Sequence, residues 1–317
     1  MVDQPAEGVD GANSQGEPSR SGELVSIGLP VYNGDRYLAE AIESILAQTH
    51  DNIELIICDN ASTDRTQEIC EQFQQRDQRV RYVRNAENIG GNRNFRKTFE
   101  LSRGRYFKWA SHDDNLAPDF IASCLAVLER DGDVVLSLPP IVYIDQDGRQ
   151  TGEQHVPDVS IEGDRYLDRI RRFFDLQVAS DDIVYAIFGV IRADVLRQLD
   201  VWEPYVSSEE ILMLDLLQHG KLRQIRDSRF YFRLHPESGF QKYRKPKDRA
   251  RWFDPSRKVV AVFPSWFLLR KYFGRILSGP FTMAEKAKGV YLVLYRAIRL
   301  WRRYVGDIAK FLLQFVR

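Results

Sequence analysis

Residues 25–64 read VSIGLPVYNGDRYLAEAIESILAQTHDNIELIICDNASTD. Two short apolar runs, LVSIGLPV and IELIICD, flank RYLAEAIESILAQ, whose apolar residues recur at helical spacing. This is a β-α-β unit. Outward from it, Asp64 to Arg76 reads as a second helix that Ser62 or Thr63 is placed to cap, and VRYVRN as another strand. Gly91 to Ser102 reads as a helix, RYFKWAS as a strand ending in HDDN, Pro118 to Arg130 as a helix and DVVLSL as a strand. Strands alternating with helices of this length predict a three-layer, Rossmann-like α/β fold with a mostly parallel sheet.

Beyond it, Ile141 to Asp200 reads as a less regular section, with a hairpin turn at DQDG and a segment, Asp181 to Gly189, of little polar character. In SSEEILMLDLLQHG, Ser208 is placed to cap a helix with an apolar stripe of Ile211, Leu212, Leu214 and Leu217, and Gly220 ends it. Glu209 and Glu210 fall in its first turn. LRQIRDSRFYFRLH reads as one strand that closes the region at His235.

The chain has 317 residues, 44% hydrophobic and 28% charged, which is the composition of a globular protein with ample length for a core, on the order of two domains. Residues 1–22 hold almost no large apolar side chain and read as a disordered tail. They lack the basic start and apolar run of a secretory signal, so a cytoplasmic protein is expected. Residues 23–240 form the α/β domain and 241–317 a helical extension. The net charge is zero, yet residues 241–317 carry 19 Lys and Arg against 4 Asp and Glu. Such an asymmetry points to a polyanionic partner. Three cysteines without CxxC spacing indicate neither a zinc ribbon nor a disulfide framework.

In open parallel sheets, ligands bind beyond the carboxyl ends of the strands. Three polar motifs fall there: PVYN, DNASTD and HDDN. Turn preference alone places Asp and Asn at such ends, but not three times in one sheet with these partners. The adjacent acids Asp113 and Asp114, with no thiolate near, suit a hard cation such as Mg²⁺ or Mn²⁺ that also binds substrate phosphates.

PVYNGDRYLAEAIESILAQT, IELIICDNASTDRTQEI and NAENIGGNRNFRKTFELSRGRYFKWASHDDN together closely resemble the nucleotide-binding half of family-two glycosyltransferases, which have the GT-A fold. The resemblance is strong from Val25 to Leu136 and weaker to about residue 238. It implies that Pro30, Tyr32 and Asn33 line a base and ribose pocket, that Asp59 meets the base edge, and that Asn60 and Ser62 border it. Asn88, Gly90 and Asn94 look like an N-x-G-x-x-x-N element, where glycine permits close backbone approach and a helix N-terminus favours phosphate. The family's frequent D-A-D-D is here Ser111, His112, Asp113, Asp114, so its first acid is missing. Asp114 matches the metal ligand, Asp113 a ribose or metal contact, and His235 a late histidine of the metal or diphosphate site. Mn²⁺ or Mg²⁺ is the implied cofactor, and UDP- or dTDP-sugars the implied donors, with GDP-sugars next. Inverting transfer needs a carboxylate base on the acceptor side; Glu209 occupies the family's position, with Glu210 as rival.

The tail refines the partner. VVAVFPSWFLL is only 11 uncharged residues, too short to span a bilayer. KAKGVYLVLYRAIRLWRRYVGDIAKFLLQFVR reads as one long helix with Val290, Leu294, Ile298, Trp301, Val305, Ile308 and Leu312 along a stripe. Arg299, Arg302, Arg303 and Lys310 flank it, which suits an interfacial helix on an anionic membrane surface at the inner face of the cell membrane. Packing on the catalytic domain is the alternative. Nucleic acid is disfavoured, since no finger or RRM signature accompanies the charge. The leading reading is a transferase acting on a glycolipid, lipid-linked or cell-surface polysaccharide acceptor. The competitors are a noncatalytic nucleotide-binding scaffold, motivated by Ser111, and a sugar-1-phosphate nucleotidyltransferase, whose Gly-rich basic first loop PVYNGDRY does not supply.

Overall fold

The computed structural model describes residues 22–151, 158–242, 246–256 and 263–312. The predicted N-terminal tail lies outside these residues apart from its last position. In chain order the first half comprises β1 (Val25–Val31), α1 (Leu38–Leu46), β2 (Ile53–Asp59), α2 (Thr66–Arg76), β3 (Val80–Arg84) and α3 (Gly91–Glu100). Then come β4 (Tyr106–Trp109), β5 (Asn115–Leu116), α4 (Phe120–Arg130), β6 (Val134–Leu138) and β7 (Ile141–Ile144). The second half has α5 (Tyr166–Ala179), a 3-10 helix (Asp181–Phe188), β8 (Val190–Arg192), α6 (Ala193–Leu196), α7 (Ser208–His219), β9 (Lys221–Gln224) and β10 (Phe230–Arg233). Five more helices end the described chain: α8 (Gly239–Lys242), α9 (Pro246–Phe253), α10 (Pro264–Ser278), α11 (Met283–Arg299) and α12 (Trp301–Leu312).

The main sheet runs β3-β2-β1-β4-β8-β6-β9 and is parallel except for β8, which is antiparallel to β4 and β6. Every residue of β1 and β2 is buried, as continuous apolar strands covered on both faces must be. Val25, Ile27, Leu29 and Val31 pack with Leu38, Ile42 and Ile45 of α1 and with α4 on one side. On the opposite side a Cβ on Gly28 would lie 2.4 Å from the Thr98 hydroxyl, so α3 sits hard against the sheet. The three-layer α/β reading therefore stands.

Several local expectations need correction. Neither Ser62 nor Thr63 caps α2; Asp64 Oδ1 instead accepts from Thr66 N at 3.0 Å. Ser208 does not cap α7 but is its first residue, preceded by Ser207 in the left-handed region. The stripe on α7 widens to full burial from Ser208 to Leu217, because the helix lies between the sheet and other helices. LRQIRDSRFYFRLH is two strands, not one: β9 extends the main sheet beside β6, while β10 joins a small sheet of order β5-β10-β7. The section from Ile141 to Asp200 is more regular than expected, and α5 buries Leu167, Ile170, Phe173 and Phe174. The hairpin at DQDG is present, with Gly148 at φ +80° and Ile144 bridging Gln150.

The C-terminal segment is two helices rather than one. At Leu300 the chain leaves helical geometry, and α12 turns back so that Trp266 Nε1 of α10 donates to Tyr304 O at 3.2 Å and Ser265 N to Asp307 Oδ2 at 2.8 Å. A straight helix rising 1.5 Å per residue would carry Tyr304 and Asp307 away from α10. Leu268, Tyr272, Ile276, Leu292 and Val293 enter the same core cluster as α5 and α7. The change of sequence character near residue 240 is thus not a break in the core. Among the described residues no helix is long and apolar enough to cross a membrane.

Candidate active site

Strand register brings the motifs together. Val31 pairs with Asp59 and Asp59 with Arg84, so PVYN, DNASTD and the end of β3 share one edge. Gly28 pairs with Trp109, the last residue of β4, three positions before HDDN, which brings that motif beside them. Hydrogen bonds then lace the loops: Asn33 N donates to Ser62 Oγ at 2.9 Å, and Asn33 Oδ1 accepts from Thr63 N at 2.8 Å. These bonds hold Asn33 at φ +51°, uncommon for a residue with a Cβ. Asp59 is fully buried; it accepts from Ser62 N at 2.9 Å and from Tyr82 Oη at 2.8 Å, with Arg84 Nε at 3.3 Å.

Four asparagines tie β2 to the start of α3. Asn60 Nδ2 donates to Asn88 Oδ1 at 2.8 Å, Asn85 Nδ2 donates to Asn60 Oδ1 at 3.0 Å and to Asn94 Oδ1 at 2.9 Å, and Asn94 Nδ2 reaches Cys58 O at 2.7 Å. Asn88 Oδ1 also accepts from Gly90 N at 2.9 Å. Gly90 sits at φ +90°, and a Cβ there would meet Phe253 O at 2.6 Å. Glycine is required on both counts. Asn85 was not singled out in the sequence, although it ends the VRN strand among these polar loops.

These elements enclose a cleft. Pro30, Tyr32, Asn33, Asn60, Asn88, Asn94 and Asp113 all line it. Asp59, Ser62, Gly90, Asp114, His235, Glu209 and Glu210 do not. The opposite wall supplies what sequence reading passed over: Tyr185 and Phe188 of the 3-10 helix, Phe232 and Arg233 of β10, and Trp252 of α9. The low polarity of DIVYAIF was the only signal for the first two.

At the HDD turn, Asp113 Oδ2 contacts His235 Nε2 at 2.9 Å and its Oδ1 accepts from Ser111 Oγ. Burial alone would raise the Asp113 pKa, but nearby His112 and the bonds from His235 and Ser111 outweigh it and hold the carboxyl below its usual range. Asp114 Oδ1 accepts from Arg233 N at 2.8 Å, whereas its buried Oδ2 has no hydrogen-bond partner. Burial, then repulsion from Asp113, pushes Asp114 well above the ordinary carboxylate range. Arg233 Nε donates to Asp113 O at 2.9 Å, and its guanidinium lies 4.6 Å from the Tyr37 ring centroid, so the turn is fixed from β10.

No cluster of three or more His, Cys, Asp or Glu preformed for a metal occurs among the described residues. The residues nevertheless fit a cation that takes one or two carboxylates and completes its shell with substrate phosphate and water. Asp114 Oδ2 is an orphaned buried acceptor, and His235 Nδ1 is a second buried atom without a hydrogen-bond partner.

The two glutamates at the start of α7 separate sharply. Glu210 is bound by Arg296, Gln177 and Tyr272. Glu209 Oε2 is buried without a hydrogen-bond partner. Its pKa is pushed up to about 7, chiefly by burial and further by Glu210, against the lowering effect of its own backbone N–H. The residue before α7, Ser207, has φ +61° and ψ +33°, strain of the kind that gathers at functional sites. Asn92 of α3 donates to Ser208 Oγ at 2.8 Å and to Tyr205 O at 3.0 Å, which fastens this turn to the loop holding Asn88 and Gly90.

The profile of Glycosyl transferase family 2 matches residues 26–197. The chain belongs to this family. This family-two member is 40% identical over 116 residues to the glycosyltransferase GlyG of Streptococcus pneumoniae serotype 4, a stretch covering 36% of this chain and 38% of that protein. The match thus spans well under half of that relative's length. S. aureus TarS 1–349, solved in complex with UDP-GlcNAc, aligns with a TM-score of 0.61 at 15% identity over 87% of this chain and 73% of that one. The mannosyltransferase PcManGT from Pyrobaculum calidifontis, solved with GDP-Man and Mn²⁺, aligns with a TM-score of 0.55 at 15% identity over 90% and 74%. At such identities the structures establish the fold, a GT-A α/β architecture with C-terminal helices, and the profile match establishes the family.

Proposed function

We propose that the enzyme transfers a sugar from a nucleoside diphosphate to a hydroxyl of a glycolipid, lipid-linked or cell-surface polysaccharide acceptor, with inversion at the anomeric carbon. The observation that carries this reading is the convergence of PVYN, DNASTD, NIGGN and HDD on one cleft, with Glu209, one of whose carboxylate oxygens is buried without a partner, at a strained helix start fastened to α3. Pro30, Tyr32, Asn33 and Asn60 line the base and ribose end, with Asp59 and Ser62 bracing that wall from behind. Asn88, Gly90 and Asn94 shape the diphosphate loop at the N-terminus of α3, whose dipole favours the anion.

Asp113 and Asp114, with His235 behind them, would hold Mn²⁺ or Mg²⁺. Such an ion supplies electrostatic stabilisation of charge on the departing diphosphate. Glu209 takes the proton from the acceptor hydroxyl as that oxygen bonds to the anomeric carbon, while the bond from that carbon to the diphosphate oxygen breaks. A single displacement of this kind inverts the centre. A pKa of about 7 suits a general base working near neutral pH. UDP- or dTDP-sugars are the donors favoured by the resemblance, with GDP-sugars next.

The surface supports an acceptor presented at a membrane. Leu294, Ile298, Trp301, Val305, Ile308 and Leu312 on α11 and α12 are all exposed, among basic residues. Hydrophobic bulk with tryptophan and cations suits peripheral attachment to an anionic leaflet.

Thermal-shift titration with UDP, dTDP and GDP, each with Mn²⁺, Mg²⁺ or EDTA, tests the nucleotide reading. A metal-dependent shift with one diphosphate is expected. No shift with any nucleotide at millimolar concentration contradicts it and favours a noncatalytic scaffold, and an EDTA-insensitive shift contradicts the metal assignment.

A further inference from the structure

A dense polar cluster outside the cleft surrounds Glu210. A single carboxylate oxygen, Glu210 Oε2, accepts from Arg296 Nη2 at 2.7 Å, Gln177 Nε2 at 2.7 Å and Tyr272 Oη at 2.8 Å. Arg296 Nε in turn donates to Gln177 Oε1 at 2.7 Å, and the guanidinium lies 4.6 Å from the Tyr272 ring centroid. The four side chains are buried and come from α5, α7, α10 and α11. Such a charge-assisted cluster is geometrically demanding. It engages one oxygen of Glu210 in three hydrogen bonds, one residue from Glu209. It is also the point where the basic extension reaches the first turn of α7.

We propose that Arg296 is a positioning residue for the transfer reaction: by clamping Glu210 it fixes the first turn of α7 and presents Glu209 toward the acceptor, making the C-terminal extension part of the catalytic apparatus. The inference rests on Glu209 being the base. Two further contacts give the clamp its rigidity. Asn92 holds the same turn from the donor side through Ser208, and Arg275 of α10 pairs with Asp215 of α7 at 3.0 Å one surface further along. Arg296 also sets the local charge. Among the described residues, the titratable groups facing the two glutamates include Arg249 from α9, Tyr272 from α10, Arg296 from α11 and Tyr304 from α12, and Arg296 is bonded directly to Glu210. Without it the negative charge of Glu210 acts on Glu209 with its bonded cation gone.

The test compares R296M, R296K, the double variant R296M/E210Q and E209Q in the full chain. The readouts are nucleoside diphosphate release from the UDP-, dTDP- or GDP-hexose that wild type consumes fastest, nucleotide binding by thermal shift, and the pH profile of turnover. Breaking a buried pair from one side is strongly destabilising, so R296M alone is open to misfolding; the double variant removes both charges and restores the fold. The expected result is nucleotide binding within about twofold of wild type in the double variant but turnover at least tenfold lower, with R296K between the two. The acid limb moves to higher pH in R296M, where Glu210 has lost its bonded cation, and returns toward the wild-type position in the double variant, where both charges are gone. Turnover in the folded double variant equal to wild type overturns the proposal. So does a loss in R296M that only tracks the unfolded fraction, with the limb unmoved. Should E209Q retain full turnover, the base assignment fails instead, which separates the two claims.

Discussion

Glu209 shows how one side chain is set apart from its neighbour by what surrounds it. Both glutamates open α7, where a helix dipole favours acids in general, but only Glu209 has a buried oxygen without a partner. Its raised pKa has a consequence for stability. The folded protein holds a proton that the unfolded chain releases above about pH 4.5, so the contribution is fully present below that pH and is lost as pH rises through about 7. E209Q is therefore expected to abolish turnover yet raise Tm by several degrees at pH 8, by at most about 3 kcal/mol, with little change at pH 5. Calorimetry at the two pH values checks it. Gly90 carries a second expectation at this scale. G90A forces φ +90° on a residue with a Cβ and drives it into Phe253 O, so nucleotide binding is expected to fall at least tenfold by thermal shift.

Between elements, the informative contacts join parts distant in sequence. Asn92 links α3 to the turn before α7 through Ser208, Tyr205 and Glu203. N92A strips partners from buried groups and is expected to destabilise the protein by about 1–3 kcal/mol in denaturant titrations, and to lower kcat more than nucleotide affinity. Legibility divides at the same level. The buried strands β1 and β2 and the helix between them were plain because continuous apolar runs and helical periodicity are local signals. The splitting of LRQIRDSRFYFRLH between two sheets was not, since only the pairing of β9 with β6 and β10 with β7 decides it. The break at Leu300 was hidden for a similar reason: the apolar stripe continues through it, and the bonds that turn α12 back come from α10. The cleft residues Pro30, Tyr32, Asn33, Asn60, Asn88, Asn94 and Asp113 were legible through the resemblance to the family's motifs. The aromatic wall of Tyr185, Phe188, Phe232 and Trp252, and the Arg296 clamp, arise from tertiary packing alone.

At the level of the whole molecule, the basic extension does two things at once. Through Tyr272 and Arg296 it completes the interior beside α7, and through Ile298, Trp301 and Val305 it exposes a hydrophobic surface. Removing it wholesale would disturb the core, so the membrane reading is tested in the full chain. Replacing Ile298, Trp301 and Val305 together by serine is expected to abolish flotation with vesicles containing anionic phospholipid while leaving Tm within a few degrees, because these side chains are exposed. Equal flotation of variant and wild type contradicts membrane attachment through this face. The central claim is that the cleft and Glu209 together perform sugar transfer. The most direct measurement is nucleoside diphosphate release from UDP-, dTDP- and GDP-hexoses by wild type and E209Q. Release from one donor class, reduced on the order of 100-fold or more in E209Q, is the expected result; consumption of no donor by wild type, or equal rates in the two proteins, would contradict the account.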